Sequence, residues 1–114
     1  MALVLCTKDL NNLPVAIQYI INYIETNYKK TKDKDNYILL GDIKSDYKMY
    51  CFDNGTKYNF KTMTTQLDKI KIKSVRKQIN GKRCLYININ TKKIEKEMQK
   101  YLRNDFKFDY YQEE

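Results

Sequence analysis

Histidine and tryptophan are absent from this 114-residue chain, proline occurs once and glycine three times. Without histidine, the commonest general base and the commonest metal ligand are both missing. The glycines, Gly41, Gly55 and Gly81, are too scattered to form a phosphate-cradling loop, and no G-x-S-x-G elbow exposes a serine nucleophile. Cys6, Cys51 and Cys84 are odd in number, far apart and without a C-x-x-C pair, so a zinc site would need all three plus a carboxylate. Each is expected to be a small buried apolar residue in a reducing compartment. Asp42 and Asp46 stand four apart, as a metal pair does, but Lys44 and Lys48 between and beside them read as an ordinary salt-bridged helix surface. The expectation is a chain that is not an enzyme and binds no metal or cofactor. Long apolar runs are also missing, and the opening Met1 to Cys6 meets Lys8 and Asp9 too soon for a signal peptide. A soluble intracellular protein with no membrane partner is expected.

What is present is charge in one place. Lys57 to Arg83 holds nine basic residues and one acid, Asp68, and so carries the whole net charge of +8. Everywhere else acids and bases balance. A concentrated positive field suits a polyanion, and the commonest polyanion is nucleic acid. Hydrophobic content of 42% supports a globular fold, and 114 residues suit one domain spanning 1–114.

Periodicity supplies the elements. A helix is expected from about Asn12, with Pro14 in its first turn and Ile17, Ile20, Ile21, Ile24 and Tyr28 on one face. The polar run from Lys29 to Asn36 reads as a loop, and its lysines as an auxiliary phosphate contact or a solvated surface. Tyr37 to Leu40 reads as a short strand, and Asp42 as the N-cap of a second helix burying Ile43, Tyr47, Tyr50 and Cys51 before the Asp53-Asn54-Gly55 turn. Asn59 caps a third helix to about Ile70, with Phe60, Met63, Leu67 and Ile70 inward. Its outward face carries Lys61, Thr62, Thr65, Gln66 and Lys69, with Asp68 at the margin. Asn80-Gly81 between two β-prone runs signals a type I′ hairpin over Ile72–Ile89, with Val75, Ile79, Leu85 and Ile87 toward the core. A last helix, 91–103, buries Ile94, Met98, Tyr101 and Leu102, and an aromatic, acidic tail, 104–114, follows.

An α+β chain ordered helix, short strand, helix, helix, hairpin resembles the winged helix-turn-helix superfamily from Leu13 to Ile89, with the C-terminal helix appended. A narrower likeness rests on Asn36 to Ile43, Asp46-Tyr47-Lys48 and Asn80 to Ile87. There the chain is similar to the C-terminal winged-helix domain of primase-helicases of large DNA viruses and phages. No counterpart of the primase or helicase domains lies in the chain, so the likeness implies a stand-alone nucleic-acid-binding domain, viral in origin, and not an ATPase. In a viral setting the compartment is host cytoplasm or nucleus.

The resemblance implies that helix 59–70 meets the major groove of double-stranded DNA and that wing 72–89 lies on the backbone or in the minor groove. Lys61, Thr62, Thr65, Gln66 and Lys69 then face the groove, Gln66 as a bidentate adenine reader and the threonine methyls toward thymine. Lys73, Arg76, Lys77, Lys82 and Arg83 bind phosphates or enter a minor groove, and Lys57 reaches a flanking phosphate. RNA stays open beside DNA as the partner, and transcriptional regulation beside a replication accessory role. The alternative is a winged-helix protein-interaction module that uses the basic face and aromatic tail. A homodimer through the C-terminal helix and tail is compatible with either reading.

Overall fold

A computed structural model describes residues 13–28 and 33–109. Cys6, the start of the first helix near Asn12, the lysines at 29, 30 and 32, and Tyr110 and Tyr111 lie outside the described residues.

Helix α1, Val15–Asn27, presents the expected isoleucine stripe: Ile17, Ile20, Ile21 and Ile24 are fully buried, while Tyr28 is half-buried. Pro14 sits at its N-cap position, just outside the first turn, and offers no side-chain cap. Strand β1, Tyr37–Leu39, runs straight into α2, Leu40–Asp53. The helix therefore starts before Asp42, which lies in the first turn and is not the cap. Leu40 enters the core at 8% exposure, and burying it outweighs the capping preference of an aspartate. The Asp42 carboxylate instead complements the positive end of the helix dipole. Ile43, Tyr47 and Cys51 are buried as expected, with Tyr50 half-buried. At the far end Thr56 N–H donates to Cys51 O and Gly55 N–H to Phe52 O, with Gly55 left-handed at φ 65°. That is a Schellman closure, and it explains why the Asp53-Asn54-Gly55 turn ends the helix.

Helix α3, Phe60–Asp68, begins as the sequence predicts: the Asn59 side chain accepts from Thr62 N–H at 2.9 Å. It closes with the same pair of bonds, Ile72 N–H to Leu67 O and Lys71 N–H to Asp68 O. Here a lysine, Lys71 at φ 62°, occupies the left-handed position that glycine usually fills. Met63, Leu67 and Ile70 are buried against α1, and Phe60 is half-buried with the Lys44 ammonium 4.2 Å from its ring centre.

Strands β2, Ser74–Ile79, and β3, Lys82–Asn88, join through Asn80 and Gly81, both at positive φ. The antiparallel sheet has the order β1-β3-β2. Pairing Ile79 with Lys82 fixes the parity of every later pair, so Ser74 faces Ile87, Val75 faces Tyr86 and Arg76 faces Leu85. Directly paired residues share a face. Val75 and Ile79 therefore cannot share a face with Leu85 and Ile87, and the expected four-residue core set is corrected. Ile87, 2% exposed, enters the core with Ile38 beside it. Leu85 is on the same face as Ile87 and Val75 on the other; they remain 39% and 40% exposed.

Helix α4, Thr91–Leu102, is capped by Asn90, whose Oδ1 accepts from Lys93 N–H while its Nδ2 donates to Asp33 and Asp35. Asn88 also donates to Asp35, which ties the residues before β1 to the β3–α4 junction. These amide donors, Asn90 first, hold the Asp35 carboxyl below the usual carboxylate range. Ile94 and Met98 are buried, but Tyr101 and Leu102 only half so. After α4 the chain turns back along it. Phe106 and Phe108 are buried at 1% and 7% exposure and meet edge to face, their centroids 5.1 Å apart. Gln99 Nε2 donates to Phe106 O, Phe108 N–H to Glu95 and Asp109 N–H to Glu25 of α1. The two phenylalanines belong to the chain's own core, which removes them from the expected dimer surface.

Candidate nucleic-acid interface

The strand register sorts the wing's cations. Arg76 and Arg83 extend from the sheet face that also carries Ser74 and Ile87, two residues that line a cleft beside α3. Lys77 and Lys82 extend from the opposite face. Lys77 is half-buried there, its ammonium 4.3 Å from the centre of the Tyr37 ring. The sequence treats these four residues as one basic crowd; the pleat makes them two pairs that cannot engage one backbone in the same way.

A cleft of about 320 Å³ separates α3 from the start of β2, with Thr64, Thr65 and Asp68 on one wall and Lys73 and Ser74 on the other. Lys61 lies one turn before Thr65 on the same line of α3, and both are exposed. This brings Lys61, Thr65, Lys73, Arg76 and Arg83 to one side of the molecule. Lys73 forms an exposed ion pair with Asp68 at 3.4 Å, a contact of small energetic weight that a phosphate can compete for.

Thr62, Gln66 and Lys69 form the neighbouring line of α3, the one leaning toward α1. Thr62 and Lys69 are exposed there. Gln66 is not free: its Oε1 accepts from Ala16 N–H at 2.9 Å, capping α1 in place of the side chain that Pro14 cannot supply. A bidentate contact to adenine needs both Oε1 and Nε2, so the adenine-reader assignment is withdrawn. Lys57, exposed in the segment before α3, stands apart from the cleft.

Sequence reasoning passed over a second basic region. On the far side of β2, a cleft of about 350 Å³ is walled by Lys71, Lys73, Lys93, Lys96 and Lys100, with Glu97 as its one carboxylate. Glu97 pairs with Lys100 at 3.8 Å. The signal was there: Lys93, Lys96 and Lys100 recur at helical spacing on one face of the expected last helix. Summing acids and bases over everything outside Lys57 to Arg83 hid them, because that remainder is neutral although the expected helix, 91–103, itself holds five bases against Glu95 and Glu97.

Among the described residues, no helix is long and apolar enough to cross a membrane. Comparison with protein-family models, curated proteins and solved structures returned no match. Fold, charge and register therefore carry the functional argument.

Proposed function

We propose that this chain is a non-enzymatic winged-helix protein that binds double-stranded DNA. Helix α3 approaches the major groove, and the β2–β3 hairpin serves as the wing. The order α1, β1, α2, α3, β2, β3 and the sheet order β1-β3-β2 support the winged-helix reading. The observation that carries the functional reading is the alignment of two of the chain's three arginines, Arg76 and Arg83, on the wing face whose Ser74 and Ile87 line the cleft beside α3. Arginine's planar fork suits phosphate and the narrow minor groove better than lysine's point charge.

In this reading Lys61, Lys69, Arg76 and Arg83 contact phosphates, Thr62 and Thr65 face the base edges, and Lys57 and Lys73 extend the phosphate track. Lys77 and Lys82, on the back of the wing, contribute field but little direct contact. The expectation that the tail's phenylalanines build a partner surface is not carried forward, since both are spent inside the molecule. The experiment is fluorescence anisotropy with labelled random 20-mers as duplex DNA, duplex RNA and single-stranded DNA. Tightest binding to duplex DNA supports the reading. Equal binding to all three would reduce the surface to a nonspecific polyanion sink, and no binding at low salt would overturn it.

A further inference from the structure

On the groove between α1 and α2 the chemistry is of the opposite sign. Tyr19, Tyr23 and Tyr50 line it together with Asp46 and Asp53, around a volume of about 260 Å³, and no lysine or arginine is among its lining residues. Tyr19 forms the base, 2% exposed, and its hydroxyl donates to Asp46 at 2.7 Å. Tyr23 packs against Tyr19 with centroids 6.0 Å apart, and Tyr50 meets it edge to face at 5.4 Å. Burial, and then the charges of Asp46 and Asp42, raise the Tyr23 hydroxyl above its ordinary pKa.

Beside this groove α2 exposes two large apolar side chains, Met49 at 60% and Phe52 at 80%. Phe52 is the most exposed large hydrophobic residue described, and it stands one turn beyond Met49 on the same helix. Exposed apolar side chains scattered singly are unremarkable, but Met49 lines the groove of aromatic rings and carboxylates itself and Phe52 follows it one turn on.

We propose that this α1–α2 groove is a protein-docking site that receives a lysine or arginine of a partner segment, with that segment's neighbouring apolar side chains covering Met49 and Phe52. The tyrosine rings offer cation–π faces, and Asp46 and Asp53 offer acceptors for the N–H donors. The occupant is basic and apolar, which charge complementarity with the groove requires. Nucleic acid is repelled by the two carboxylates and belongs on the basic side.

The molecule's own charge sharpens the test. At +8 overall, the protein repels basic peptides at long range, so any binding of one reports the local groove. The experiment is an NMR titration of the ¹⁵N-labelled full chain with a peptide bearing leucines and lysines on one helical face, beside its glutamate counterpart. The lysine peptide should shift the amides of Tyr23, Met49, Phe52 and Asp53, and the glutamate peptide should not. Phe52→Ala and Asp46→Asn should each weaken the lysine peptide by about fivefold, the scale of one exposed cation–π or apolar contact. Both variants should stay folded, since Phe52 is exposed and an asparagine oxygen can still accept from Tyr19. Absence of those shifts, equal response to both peptides, or unchanged affinity in both variants would overturn the proposal. Concentration-dependent shifts at these same amides without peptide would instead make a second copy the occupant, and would overturn it too.

Discussion

Ala16 N–H lies in the first turn of α1, where the helix itself offers no acceptor, and Gln66 supplies one from 50 residues away. Gln66→Ala should therefore lower stability by about 1 kcal/mol in urea unfolding, the usual size of a lost cap. Preference among DNA sequences should stay unchanged in competition binding; an altered preference would return Gln66 to the groove. Lys71 holds a left-handed conformation that costs a residue with a Cβ about 1 kcal/mol. Lys71→Gly should raise the urea midpoint by the equivalent of roughly 0.5–1 kcal/mol, and a lower midpoint would mean that its side chain contributes more than its backbone loses. The buried tyrosines set the alkaline limit. Burial, and then hydrogen bonding to Asp46 for Tyr19 and to Cys51 for Tyr47, push both hydroxyls far above the ordinary value. A raised folded-state pKa stabilises the fold fully below the unfolded value of about 10, and that stability is lost as pH rises beyond it. In an absorbance titration at about 295 nm, Tyr19 and Tyr47 should ionise only with loss of the near-ultraviolet circular dichroism of the folded state. Ionisation of all tyrosines in one step with the fold intact would contradict their burial.

Elements whose signals are local were legible in the sequence. Asn59 caps α3 and Asn80-Gly81 turns the hairpin, because in each case the deciding groups lie within a few residues of one another. Where a distant partner decides, the sequence was silent: Leu40 is drawn into the core and moves the start of α2, and Phe106 and Phe108 fold back along α4. The wing is a third case. Its two-residue turn fixes the parity of the pairing, so the separation of Val75 from Leu85 was readable and an apolar count obscured it. The same parity gives a prediction at this scale. Arg76→Ala with Arg83→Ala should weaken duplex binding several-fold more than Lys77→Ala with Lys82→Ala, measured by anisotropy in one buffer. Equal losses would mean that the two faces of the wing contribute alike and that total charge is what matters. For the candidate site, the concentration of basic residues was legible; orientation was not, since Gln66 and Lys77 each have a partner that only tertiary packing brings near.

Across the whole molecule, charge is unevenly spread. Basic side chains gather on α3, both faces of the wing and the adjacent face of α4, while the α1–α2 groove carries tyrosines, carboxylates and exposed Phe52. The two proposals, a polyanion on the basic surface and a basic partner in the α1–α2 groove, use different residues. Cations that meet phosphates release condensed counterions, and each contact steepens the fall of affinity with salt by about 0.9 in the log–log slope. The most direct measurement is the affinity for a random 20-mer DNA duplex across a salt series, for the natural chain and for the Arg76→Ala, Arg83→Ala variant. Four to six phosphate contacts predict a slope of about −4 to −5, shallower by about 2 in the variant. A slope near zero, or one that the variant leaves unchanged, would contradict phosphate binding by the wing.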